Sequence, residues 1–244
     1  MRKDKYTNIN LLVLVLTVLS GLFFATSCDE PPKNKKTTKT KTKKVKEGLI
    51  TTKYPDGKVH TAVNYKGGKK HGVSTSYFDN GNKQLEMTYV NGERSGISKK
   101  YYENGKIYAE TPYVNNKING IRKTYYSDGV LKAETPYENS LMGVGTRQYS
   151  NQGNLIDTYQ LKIKKIKKKN YEVSVDNKCR RITFFEGKLV NGKFLDESAV
   201  IALPMSSGKG IFNNKYNQTN LNFVCKCVTP GNTTLIVNKE IKAY

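Results

Sequence analysis

The chain has 244 residues and a lopsided charge: 42 Lys and Arg against 20 Asp and Glu, a net +22. With 36% hydrophobic residues and no Trp, it is poorly supplied for one large buried core, which argues against an all-round globular enzyme of this size. Its 17 Tyr and 20 Gly point to short strands and turns, and its basic excess to an anionic partner unless that excess sits in tails.

Residues 1–27 read as a secretory signal peptide. Arg2, Lys3 and Lys5 precede an apolar run from Leu11 to Phe24, and Ala25, Thr26 and Ser27 then lead to Cys28. As a helix the run would span about 21 Å, short of a ~30 Å bilayer interior. The segment resembles a bacterial lipoprotein signal. That resemblance implies that Cys28 is acylated, becomes the mature N-terminus and holds the chain at a membrane of the cell envelope. Acyl chains, at about 0.8 kcal/mol per buried CH₂, would make the anchor essentially permanent. Asp29 resembles an inner-membrane retention signal, and the pair Asp29-Glu30 a surface-export signal. The outer membrane or cell surface is the expected location, with the inner membrane as the alternative. Export argues against a nucleic-acid partner and against ATP-driven chemistry.

Residues 28–49 follow as the lipidated Cys and a tether. The stretch PPKNKKTTKTKTKKVKEGL (31–49) has almost nothing to bury, so disorder is expected. It reads either as a soluble spacer or as a contact with anionic headgroups, worth about 1 kcal/mol per Lys near a charged surface.

Residues 50–160 are an internal repeat. Tyr recurs every 12 residues at 65, 77, 89, 101, 113, 125, 137 and 149. Gly recurs every 24 at 57, 81, 105, 129 and 153, and Glu86, Glu110 and Glu134 keep the same step. Such a period means an array of supersecondary units. Within each unit, apolar and Tyr residues alternate with polar ones at the strand period of two, as in Leu85, Met87 and Tyr89. Asn-Gly or Asp-Gly at Asp56-Gly57, Asn80-Gly81, Asn91-Gly92, Asn104-Gly105 and Asp128-Gly129 supplies tight turns. Each 24-residue unit is therefore expected to be a β-hairpin, and successive hairpins an antiparallel meander. Eight to ten strands at about 4.8 Å predict a sheet roughly 40–50 Å long. Because 12 is even, odd positions are expected to share one face throughout. At Pro112 and Pro136 a strand is expected to end or bulge, since Pro has no N–H. Val144 stands where a repeat Gly is due, which reads as a degenerate terminal unit.

The stretch NGKIYAETPYVNNKINGIRKTYYSDG (104–129) resembles the MORN-variant repeat, and the resemblance covers roughly residues 50–155. That family includes YwqK-type antitoxins and many bacterial lipoproteins. The resemblance implies an interaction or membrane-associated scaffold rather than an enzyme. Phe78, Tyr102, Tyr108 and Tyr126 stand among Lys and Glu at even positions. They are the candidate binding residues, for sugars, peptides or headgroups, or else rungs of an aromatic ladder.

Residues 161–244 form a Lys-rich junction and a second β module. Residues 161–169 read as a Lys-guarded edge strand, a linker or an anionic docking strip. Short runs at 171–175, 181–190, 200–203, 220–228 and 233–241 then suggest a small β-sandwich or barrel. In an exported chain, Cys179 is expected to bridge to Cys225 or Cys227, whose shared strand face disfavours a bond between the two.

The expected fold class is thus all-β: a hairpin-repeat meander plus a small C-terminal β module. No catalytic set appears. His60 and His71 are the two His, no HExxH, GxSxG or CxxC is present, and Ser206-Ser207-Gly208-Lys209-Gly210 lacks phosphate-loop spacing. Glu86, Glu110 and Glu134 recur in every unit, unlike the two special carboxylates of a glycosidase, and are expected to pair with Lys across the sheet. No metal and no cofactor are expected. Half of the net charge sits in residues 29–49 and 161–169, which makes it a property of a tether and a junction. The functional expectation is a membrane-anchored exported lipoprotein, a non-enzymatic repeat scaffold for a protein, a glycan or an envelope surface. The alternative is an antitoxin or immunity protein neutralising a partner toxin.

Overall fold

A computed structural model describes residues 45–156, 159–175 and 179–243. The expected signal peptide, Cys28 and the tether as far as residue 44 lie outside the described residues. Among the described residues all regular structure is β-strand and none is helix, as the alternation predicts.

The repeat sheet begins with β1 (Gly48–Lys53), β2 (Val59–Lys66), β3 (Lys69–Tyr77) and β4 (Lys83–Val90). It continues through β5 (Glu93–Arg94), β6 (Gly96–Tyr101), β7 (Ile107–Val114), β8 (Lys117–Ile118), β9 (Gly120–Tyr125) and β10 (Leu131–Glu138). It closes with β11 (Leu141–Gly143), β12 (Arg147–Tyr149) and β13 (Leu155–Ile156). Neighbours in sequence are neighbours in the sheet, antiparallel throughout. The array starts earlier than composition suggests. Gly48 and Leu49 are already in β1, and the Gly67 N–H donates to Glu47 over 2.7 Å.

Two turn types alternate. In one, Gly at positive φ closes a loop that starts on an aromatic residue, as in Gly105 N–H to Tyr102 O at 3.0 Å. The preceding Asn or Asp accepts from the amide two residues on, as in Lys106 N–H to Asn104 Oδ1 at 3.0 Å. The other is a two-residue turn with both φ positive: Asn91-Gly92, Asn115-Asn116 and Asn139-Ser140. That is the hairpin turn whose twist matches paired strands, and Asn tolerates it.

Register corrects the expected facing. Lys99 pairs with Glu110, Ala109 with Thr124, and Ser74 with Met87. Away from the bulges, the strands from β2 to β10 thus pair odd residues with even ones, so facing inverts at each strand and returns after 24 residues. The Tyr comb therefore divides. Tyr89, Tyr113 and Tyr137 share one face with Met87, Ala109 and Ala133, while Tyr101, Tyr125 and Tyr149 share the other with the glutamates.

Pro112 and Pro136 are a second correction, because β7 and β10 run straight through them. The neighbouring strand is broken instead, at Asn119 between β8 and β9, where the Asn119 N–H donates to Pro112 O at 3.1 Å. Pro112 thus sits where the neighbouring ladder is interrupted. The true bulges fall at His60, Gln84, Tyr108 and Lys132, each skipped in the register of its pair.

The C-terminal module comprises β14 (Leu161–Lys167), β15 (Asn170–Val175), β16 (Arg180–Glu186), β17 (Phe194–Leu195) and β18 (Ile201–Ala202). It ends with β19 (Met205–Ser206), β20 (Lys209–Asn213), β21 (Asn220–Val228) and β22 (Thr234–Lys242). One sheet has the order β14-β15-β20-β19, the other β18-β16-β21-β22. Leu161, Tyr171, Val173, Phe184, Leu221, Phe223, Cys225, Cys227 and Leu235 fill the space between them, which makes the module a sandwich. The Lys-rich segment is an edge strand of this sandwich rather than a further strand of the repeat sheet.

A second, smaller core joins module and array. Phe185, Leu195, Val224 and Ile236 pack with Met142 and Val144, and β11 pairs with β17. Strand β21 is therefore buried on both faces. The departure at Val144 marks this junction, where Val144 N–H donates to Lys193 O at 2.8 Å.

Candidate binding surface

The repeat sheet is a single layer, and its interactions run as columns with a 24-residue step. On the first face, Lys70 lies 5.0 Å from the Tyr89 ring and Arg94 4.5 Å from the Tyr113 ring, with Lys46 over Tyr65 before them. Gly72, Gly96 and Gly120 stand directly opposite Tyr89, Tyr113 and Tyr137. All three glycines have positive φ, a conformation that L side chains rarely adopt. Sequence reasoning does not single out this cation column, although its signal is present as basic residues spaced 24 apart.

The candidate aromatic residues belong to a second column. The hydroxyls of Tyr54, Tyr102 and Tyr126 donate to the carbonyls of Tyr77, Tyr125 and Tyr149 at 2.7, 2.8 and 2.9 Å. Each of these rings also meets the bulge residue of its own unit. Tyr54 stacks on His60, Tyr102 meets Tyr108 edge-on at 5.2 Å, and Lys132 lies over Tyr126. Phe78 occupies the same place without a hydroxyl. Phe78, Tyr102, Tyr108 and Tyr126 are half-buried, and the tyrosine hydroxyls at 102 and 126 are engaged in stitching one unit to the next. Burial, joined by the electrostatic effect of Tyr108, raises the Tyr102 phenol.

On the opposite face the glutamates lie in a charge column. Glu110 stands opposite both Lys99 and Lys123, and Glu134 lies 3.9 Å from Lys123 and 3.8 Å from Arg147. Cross-strand pairing with Lys is therefore present as expected. Each also accepts from a comb tyrosine: Tyr125 donates to Glu110 at 2.8 Å, Tyr149 to Glu134 at 2.9 Å. Burial, with that hydrogen bond, pushes Tyr125 up to about 12. The bond to Glu134 raises Tyr149. These carboxylates are committed acceptors in a repeated lattice.

Beside the charge column runs an apolar stripe. Val73, Ile97 and Ile121 are 45%, 56% and 55% exposed, with Leu49 one step before them. Val73 faces Thr88, Ile97 faces Pro112, and Ile121 faces Pro136 across the pairs. Val90 and Val114 extend the stripe sideways, both exposed. At two strand widths per unit the aliphatic side chains repeat about every 9.6 Å.

In the sandwich, Cys179 is disulfide-bonded to Cys227 with Cα atoms 5.8 Å apart. Cys225 is a free, buried thiol, pushed up to about 12 by that burial. His60 is stacked on Tyr54, and His71 Nδ1 accepts from the Asn91 amide at 3.4 Å. Among the described residues no group of His, Cys, Asp and Glu is placed to hold a metal. A cavity of about 500 Å³ lies between the last repeat strands and β22, lined by Val144, Leu155, Ile156, Leu235 and Val237 among others. Thr146 Oγ1, on its wall, is buried without a hydrogen-bond partner among the described residues.

The family described as the MORN repeat variant matches residues 70–91, 94–115 and 118–139, well under half of the chain. The three segments keep the 24-residue step. Each runs from the residue in the cation column's position to the first residue of a two-residue turn, so each is one hairpin. The contacts of Lys46, Tyr54 and His60 show a further unit of the same design before the first match. Sheet and match together define the class: a hairpin-repeat sheet, three units of which are similar to the MORN repeat variant, carrying a β-sandwich. No curated protein matches the chain.

Proposed function

We propose that the chain is an exported lipoprotein, anchored through Cys28, whose repeat sheet is a non-enzymatic scaffold for a protein partner at the cell envelope. The apolar stripe carries this reading. Leu49, Val73, Ile97 and Ile121 are exposed side chains that a monomer gains nothing by displaying in a row. An aliphatic strip flanked by charges fits a protein surface better than a glycan, which would call for free ring faces. The rings here are engaged between units. The once-per-unit recurrence of Glu86, Glu110 and Glu134 supports a lattice role over a catalytic one. Nothing in the geometry favours the antitoxin alternative.

A photo-crosslinking residue at Ile97 or Ile121 in living cells tests the scaffold. Discrete adducts are expected from both positions and not from Lys100, on the other face. Absence of adducts from both overturns it. The anchor is tested separately: labelled palmitate should enter the chain and be lost in Cys28→Ala. An unlabelled wild-type chain sinks that part alone.

A further inference from the structure

The sandwich brings two distant segments to one end of the sheet that contains β14. The β14–β15 hairpin presents Lys164, Lys165, Ile166, Lys167, Lys168 and Lys169, all exposed. Beside it, Asn170 pairs with Asn213, and the Asn214 N–H donates to Lys169 O at 2.8 Å. The loop that follows carries Lys215 and Tyr216, and Tyr216 is 76% exposed, more than any other large hydrophobic or aromatic residue described. This loop is built, not trailing. Asn214 is buried, its Nδ2 donates to Gln218 O at 2.8 Å, and its Oδ1 accepts from the Gln218 N–H at 2.8 Å. Lys215 lies 4.7 Å from the Tyr216 ring. The nearest carboxylate on these strands, Glu172 opposite Lys164, is tied to Lys209 at 2.9 Å.

The tip therefore combines a cluster of cations with two exposed apolar groups, Ile166 at 46% and Tyr216. A polyanion bound through charge alone gives no reason for an aliphatic side chain in the middle of the lysines. A bilayer surface does. Lysines meet anionic headgroups, Ile enters the acyl boundary, and Tyr sits at headgroup depth with its hydroxyl wet. We propose that this tip is a membrane-docking surface for anionic phospholipid, formed by residues 164–169 and 215–216. It is separate from the repeat stripe and independent of acylation at Cys28. In an anchored chain it would hold the sandwich flat against the membrane and leave the stripe to other partners.

The chain has no Trp, so one introduced Trp reports on one place. Full-length chains carrying Ile166→Trp, Tyr216→Trp or, as a control, Ile97→Trp are mixed with phosphatidylserine/phosphatidylcholine vesicles and with pure phosphatidylcholine vesicles. Some of the lipids are brominated in the acyl chain. Emission from positions 166 and 216 should shift to shorter wavelength and be quenched on the anionic vesicles. The effect should fade with added salt, and Ile97→Trp should not respond. Adding Lys167→Glu and Lys168→Glu to Ile166→Trp should weaken the response by on the order of 100-fold, since each lysine near an anionic surface contributes about fivefold and reversal also repels. The inference is overturned if the emission of Ile166→Trp and of Tyr216→Trp stays unchanged while the chain sediments with the vesicles. It is equally overturned if a soluble polyanion such as heparin gives the same spectral shift. Neither outcome touches crosslinking from Ile97, so this surface and the scaffold fail separately.

Discussion

A single missing oxygen is the clearest test of the column of stitching tyrosines. Tyr54, Tyr102 and Tyr126 each donate to a carbonyl one unit on, and Phe78 cannot. Phe78→Tyr is expected to stabilise the array by about 0.5–1.5 kcal/mol, and Tyr102→Phe to destabilise it by a similar amount, read by urea unfolding. Tyr125 sets a pH window. Its phenol is raised from 10.0 to about 12, so the folded state favours the neutral form. Its contribution is complete below pH 10 and lost as pH rises towards 12. Tyr125→Phe should remove that part of the alkaline loss of stability, measured by melting at several pH values. Cys225, buried and raised by burial, should resist alkylation in the native protein and react after unfolding. The spacing of the stitching column was legible in the sequence, but the acceptors of its hydroxyls were not. They are backbone carbonyls, which carry no sequence signature.

At the scale of strands and turns, the hairpin unit was legible because its period, alternation and Asn-Gly turns agree. Facing was not, because parity depends on the sum of paired residue numbers, which the turns and bulges decide together. Pro112 shows the same limit. Its effect depends on the neighbouring strand, broken at Asn119-Gly120. Gly120 has a φ of 112°, and a Cβ there would stand 3.2 Å from Pro112 Cγ. Gly120→Ala is therefore expected to cost about 1–3 kcal/mol, read as a lower urea midpoint with an unchanged slope.

Across the whole molecule, stability is distributed unevenly. The repeat sheet buries little beyond Met87, Ala109 and Ala133, whereas the sandwich holds a contiguous core closed by Cys179–Cys227. The bridge spans 48 residues and contributes about 4 kcal/mol on the chain-entropy model. Reduction should lower the sandwich's calorimetric transition and leave the array's ladder largely in place. A common, unchanged transition would show that the two fold as one unit without help from the bridge.

Composition, period and alternation by themselves determined the all-β class, the 24-residue hairpin, a second module of short strands and the uneven placing of charge. These are local properties, set by which residues suit a pleated strand and which suit a turn. Only the tertiary structure decided that the Tyr comb divides between faces and that the glutamates are held by lysine and tyrosine together. It alone joined array to sandwich through β11 and β17, and brought Lys169 beside Asn214. Each of these depends on register or on contacts between residues far apart in sequence, and neither is written in any one stretch of chain.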